Sequence, residues 1–305
     1  MRFLRSPWGA VSLVAALALA VVLGATSVRV YAKTHPQGHG EAVVDFESMG
    51  VRVEQVEFSA SDGVALSGWL LPGEPDRPPV VLCHELGESK SSLISTALAL
   101  RKSGFTVLLF DFRGHGESAG TRSTLGLYEK RDVVGALRFL RDVHTVNASR
   151  IGLLGVGMGA HAAVLAALER PEARVLVLDG LYPDPAFALE RDVYAEWGFA
   201  ARHLGFMPRL AFTLIHGASP RAQRAADVIG RLPGRHLLLL APAGDSALAA
   251  EMQLMYGTIP DQEDADGNLV VLPATHTGGL YGEQLVRYQE RVTGFFLDRL
   301  SVSKG

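Results

Sequence analysis

Short, uninterrupted apolar runs alternate along this chain with segments of helical period, and that alternation restricts the fold more than any other feature. Val80 to Cys83, Thr106 to Phe110, Ile151 to Leu154, Val175 to Leu178, His236 to Leu240 and Leu269 to Leu272 read as strands. Between or after them lie helical segments near Ser91 to Lys102, Leu127 to Val143, Ala160 to Glu169 and Gly282 to Leu300. In the second of these Val133, Ala136, Leu137 and Leu140 fall at i, i+3, i+4 and i+7, which is one buried stripe. A strand that is apolar at every position is buried twice, as a parallel sheet covered by helices on both faces requires. Val53 to Ser59 and Val64 to Leu71, joined through Ser61-Asp62-Gly63, read as an opening hairpin. The expected class is α/β, with a mostly parallel central sheet and helices on both faces.

The first 32 residues stand outside that pattern. Gly9 to Val28 carries no charged side chain and follows Arg2, Arg5 and Trp8, which is long enough to span a bilayer. It reads as a membrane anchor or, if cleaved after Val30-Tyr31-Ala32, as a signal peptide. With the arginines ahead of the span, the rest of an anchored chain is expected on the extracytoplasmic side; cleavage would give a secreted or periplasmic protein. Residues 33–50 are expected to be a polar linker, with His35 and His39 solvated, and 51–305 one domain. Within it Leu181 to Leu232, containing Phe187, Tyr194, Trp197 and Phe199, is expected to form a small helical cap.

Composition removes several function classes. A net charge of -3, with both signs dispersed, provides no basic stripe for a nucleic acid. The single cysteine, Cys83, excludes an intrachain disulfide and a thiolate metal cluster. The acidic run Asp261 to Asn268 lacks calcium-loop spacing and reads as a solvated loop. No cofactor or metal is expected.

Reactive groups in parallel α/β folds belong on the loops at the carboxyl ends of strands. Here those loops read His84-Glu85-Leu86-Gly87, then Asp111 to Ser118 (DFRGHGES), Gly155-Val156-Gly157-Met158-Gly159, Gly244-Asp245, and Ala274-Thr275-His276-Thr277. On the D-x-R-G-x-G-x-S run, the small-residue strand-turn-helix at Leu154 to Ala163, and the late acid followed by histidine, the chain resembles the α/β-hydrolase superfamily. The similarity is to the small-cap serine hydrolases near the serine aminopeptidase and esterase-like groups, and it covers roughly Val51 to Leu300. In such enzymes an elbow serine attacks an acyl carbon, a histidine takes its proton, an acid orients the histidine, and two backbone N–H groups hold the oxyanion.

Mapped onto this chain, the resemblance implies Asp245 as acid, His276 as base, and the N–H groups of Leu86 and Met158 as oxyanion donors. Asp179, after the strand that follows the elbow, is the alternative acid. Two positions depart from the pattern. Position 157 matches the nucleophile, and glycine has no side chain to attack with. Glu85 stands where the family has glycine, and a carboxylate there opposes a developing oxyanion unless it turns away or is protonated. Ser89, Ser91, Ser92, Ser118 and Cys83 have no neighbouring motif that supplies a base.

Gly155 to Ala160 also fits G-x-G-x-x-G/A, with Asp179 following the next strand, so the same turn can be read as a dinucleotide loop. Two strand-helix units precede it, whereas a dinucleotide half normally begins with it. His115 and His161 are read as packed or exposed. Two functions follow as expectations. One is a membrane-tethered hydrolase homologue without serine activity, binding an acyl-type or other small ligand or acting as a scaffold. The other is a hydrolase- or esterase-like enzyme using His276 and Asp245 on water, another acidic substrate proton or a non-serine nucleophile, with Glu85 assisting.

Overall fold

The computed structural model describes residues 7–36, 46, 50–143, 147–197, 204–260, 269–276 and 280–300. His39, Phe199, Thr277 and the acidic run 261–268 lie outside the described residues. The chain divides into two compact units, Met1–Thr34 with Ala186–Ala222, and His35–Pro185 with Gln223–Gly305. Of the stretch expected as a cap, Ala186–Ala222 thus groups with the N-terminal helix, and its two ends group with the sheet.

Among the described residues the larger unit is built on eight strands: β1 (Glu54–Ser59), β2 (Ala65–Leu71), β3 (Val80–Cys83), β4 (Val107–Phe110), β5 (Ile151–Val156), β6 (Ala173–Asp179), β7 (His236–Pro242) and β8 (Leu269–Leu272). They pair in the order β1-β2-β4-β3-β5-β6-β7-β8. β2 runs antiparallel to β1 and β4, and every other pairing is parallel. The double burial inferred from the apolar runs is observed: all four residues of β3 and of β4, and all six of β5, are buried.

Alternate residues serve alternate faces. Val80, Leu82, Leu109, Leu154, Val177 and Leu238 share one core with the helices Ile94–Lys102 and Gly282–Leu300, through Ala97, Leu100, Tyr288, Val292 and Phe296. On the other face the helix Lys130–Asp142 packs against the helix Met158–Glu169, which is buried over nearly all its length. The pattern of apolar runs does not announce one helix, Ser246–Tyr256, whose start is capped by the Asp245 carboxylate accepting the Leu248 N–H at 3.0 Å. It also begins the helix after β3 too early, because Lys90–Leu93 is a 3₁₀ turn.

The D-x-R-G-x-G-x-S run fastens the loop after β4. Asp111 accepts from the Lys90 backbone N–H and Nζ, both at 2.7 Å, and from the Glu117 N–H at 3.0 Å. Arg113 bridges Asp62 at 2.8 Å and Asp132 at 2.6 Å, and the Ser118 hydroxyl donates to the Asp111 carbonyl at 2.6 Å. Buried charges are tolerated when each is paired and hydrogen-bonded in this way.

The smaller unit contains the helix Pro7–Thr34 and the helix Phe206–His216, which pack on each other. Ala10–Thr34 is long and apolar enough to cross a membrane, with a mean hydropathy of 2.4 over its most apolar window.

Candidate functional site

Five strand ends supply the residues singled out in the sequence, and parallel pairing brings β3, β5, β6, β7 and β8 to end on the same side of the sheet. The turn after β5 holds Gly157 at φ +48°, a region that strains any side chain, before the helix Met158–Glu169 begins. Its flanking glycines have a packing reason. A Cβ on Gly155 would collide with the backbone of Ala160, and one on Gly159 with the Cys83 carbonyl, so both permit close approach of the helix to β3 and β5. Those two glycines are therefore explained without a bound nucleotide.

Glu85 decides what this turn can do. Its Oε1 accepts the Leu86 N–H at 2.7 Å and the Met158 N–H at 3.0 Å, the two donors that the resemblance assigns to an oxyanion. The carboxylate lies at a helix N-terminus, where a negative charge is favoured. Its other oxygen lies where a residue at 157 would need room: a Cβ on Gly157 would fall within covalent-bond distance of Glu85 Oε2. The absence of a side chain at 157 and the placing of the Glu85 carboxyl are thus one steric arrangement.

The loop carrying Glu85 is pinned by two histidines. Neutral His84 can donate from Nδ1 to the Glu85 carbonyl at 2.8 Å while its Nε2 accepts the Phe112 N–H at 3.0 Å. His115 does likewise, facing the Arg113 carbonyl with Nδ1 and accepting the Gly87 N–H at 3.1 Å with Nε2. Burial, with the proximity of His115 next, pushes His84 down to about 3, so its ring holds the loop as a neutral group. The sequence favours a packed or exposed His115 and gives His84 only as the residue before Glu85; a histidine after β3 and another after β4, the adjacent strand, is the signal for the pinning.

Asp179, at the end of β6, is fully buried, and its Oδ2 accepts the backbone N–H of His276 at 2.9 Å. Burial, reinforced by the Glu85 charge and opposed by the His276 N–H and the Tyr288 and Thr275 hydroxyls, raises its carboxyl to about 7. The His276 ring lies edge-on to Tyr288 at 4.8 Å between centroids, with Nε2 3.2 Å from the Thr96 hydroxyl. Burial lowers its imidazole to about 4, which makes it a weak base at neutral pH. The structure thus brings His276 to Asp179 through the backbone, while Asp245 caps the next helix.

The other candidates are engaged elsewhere. Cys83 is buried and its thiol is pushed up by burial, Ser118 bonds the Asp111 carbonyl, and the Ser89 and Ser91 hydroxyls pair at 2.8 Å. His161 is buried against the Tyr182 ring at 5.3 Å, and burial lowers it to about 4. Among the described residues no cluster of histidine, cysteine and carboxylate side chains could hold a metal ion.

The family model for serine aminopeptidase, S33, a group of hydrolases, matches residues 74–229, from before β3 to beyond β6. The chain belongs to this family. Its fold matches as well: an esterase of Pyrococcus furiosus superposes with a TM-score of 0.70 at 24% identity, over 88% of this chain and 99% of that one. Among sequence relatives, the uncharacterized protein YfhR of Escherichia coli K12 is 28% identical over 77% of this chain and 80% of its own length. A thiohydrolase of Aspergillus aculeatus is 35% identical over 40% of each chain. As a member of this family, the chain carries an α/β-hydrolase fold, and Glu85 and Gly157 lie within the matched region.

Proposed function

We propose that this protein is a membrane-tethered α/β-hydrolase homologue that performs no serine acyl transfer and binds a small acyl-type ligand without turning it over. The single observation that carries this reading is the Glu85 carboxylate seated on both the Leu86 and Met158 N–H groups in front of Gly157. A carboxyl oxygen in that seat takes the donors that a tetrahedral intermediate needs, and a glycine provides nothing to form one. Loss of a triad nucleophile leaves roughly 10³ to 10⁴ over water in the serine-protease example, from the oxyanion hole and binding alone. With the hole filled, even that residue is reduced.

The alternative, water activated by His276, needs a base near neutrality, and the burial of that ring works against it. An acyl-type ligand is the class that the printed names of an esterase and a thiohydrolase suggest. The N-terminal helix is the tether, with the hydrolase-like unit on the extracytoplasmic side because Arg2 and Arg5 precede the span. The membrane and that ligand are the proposed partners, nucleic acid is not one, and no cofactor enters.

A panel of short oxygen and sulfur esters offered to the purified full-length protein is expected to show no acyl-enzyme burst. His276→Ala is expected to leave the background rate unchanged. A burst, or a rate that His276→Ala abolishes, would favour the working-enzyme reading instead.

A further inference from the structure

The helix Phe206–His216 has two apolar faces, and only one of them is covered. Met207, Ala211, Phe212 and His216 are buried. Phe206, Leu210 and Leu214, at i, i+4 and i+8, form a second stripe that is 45%, 39% and 69% exposed. Arg209, between them in sequence, is paired with Glu190 at 3.1 Å. An apolar row of this kind on an otherwise ordinary surface marks a contact with something outside the fold.

Its neighbour within the same compact unit says what that is. The helix Pro7–Thr34 packs on Phe206–His216, Thr26, Val30 and Thr34 are buried, and the Thr34 hydroxyl meets His216 Nε2 at 2.9 Å. On the same helix Val11, Val14, Leu17 and Val21 are more than half exposed, as lipid-facing side chains would be. The uncharged stretch Gly9 to Val28 corresponds to about 30 Å of helix, one hydrocarbon thickness. The contact with Phe206–His216 that is seen atom to atom lies at Thr34, about 9 Å beyond Val28. On the membrane reading of the N-terminal helix, this sets the His216 end of Phe206–His216 at the depth of the headgroups.

We propose that Phe206, Leu210 and Leu214 form a second membrane contact, lying in the lipid interface beside the spanning helix as an amphipathic surface helix does. This inference rests on the membrane reading of the N-terminal helix and is independent of the catalytic reading. Its occupant is the bilayer; a second copy of the chain is the competing occupant.

Cys83 is the single cysteine and is buried, so one added cysteine can be labelled alone. Leu214→Cys and, separately, Leu210→Cys would carry an environment-sensitive fluorophore in the full-length protein, reconstituted into phosphatidylcholine and phosphatidylglycerol vesicles. Leu254→Cys, at an exposed leucine of the larger unit, is the reference. The expected result is blue-shifted emission at 214 and 210, lost when shallow spin-labelled lipid is included, against water-like emission at 254. Emission at 214 and 210 as accessible to aqueous iodide as at 254 would overturn the proposal. So would a blue shift that disappears on dilution of the protein in lipid and ignores the spin label, which would assign the stripe to a second copy. Loss of quenching at both the stripe and a label placed at Val14 would instead refute the spanning helix on which the inference rests.

Discussion

Gly157→Ser combined with Glu85→Gly is expected to form an acyl-enzyme with a short ester, and Gly157→Ser alone is not. The single variant places a Cβ within bonding distance of Glu85 Oε2, so the serine enters only by expelling the carboxylate from its two N–H donors. The expelled charge loses a favourable seat at a helix N-terminus and stays beside Asp179. The double variant removes that conflict and empties the seat. An oxyanion donor is worth about 10² to 10³ in kcat, so acylation by the double variant is expected to exceed that of the single by at least this factor. Rescue is expected to be partial, because a serine at φ +48° costs about 1 to 3 kcal/mol of strain and His276 is a weak base. A burst measured in the first turnover checks it. An active single variant would show that Glu85 leaves its seat easily.

Asp179→Asn is expected to change how stability depends on pH. The native carboxyl titrates near 7 when folded and near 4 when unfolded. Between those values the folded state holds the proton and the unfolded state does not, so this residue's contribution is fully present below about pH 4 and lost as pH rises through 7. The difference corresponds to a contribution on the order of 4 kcal/mol. Asparagine keeps an oxygen for the His276 N–H and carries no charge at any pH, so the variant lacks this slope. Asp132, raised to about 7 mainly by burial, titrates in the same window, so the readout is the difference between the two proteins' curves. Thermal unfolding of the full-length protein in detergent from pH 4 to 8 should show the variant gaining on the native protein as pH rises. Parallel curves would contradict the burial assigned to Asp179.

The sheet was legible because its strands are continuous apolar runs, and Val80–Cys83, Leu269–Leu272 and the last helix, Gly282–Leu300, were placed to the residue. The helix Ser246–Tyr256 escaped because Asp245 draws attention for its chemistry; its capping of Leu248, and Leu248, Met252 and Met255 behind it, form a helix-start pattern. Lys90 looks like a surface residue. It is fully buried on Asp111, a partner 21 positions away that no local pattern announces.

The candidate site divides in the same way. The resemblance singles out Gly157 and Glu85 together beside one reactive centre, and what the sequence does not give is their steric contact. Their coupling depends on a side-chain placement that joins donors 1 and 73 positions from Glu85. Asp179 and His276 meet across 97 positions, through a backbone N–H rather than the imidazole, which strand order alone does not specify.

The central claim, that an internal carboxylate and a glycine have replaced serine chemistry in this family member, is tested most directly by intact mass spectrometry. The native full-length protein would be incubated with a fluorophosphonate probe beside the Gly157→Ser/Glu85→Gly variant. An unchanged native mass, with one probe adduct at position 157 of the variant, is the predicted result. A stoichiometric adduct on the native protein would contradict the account.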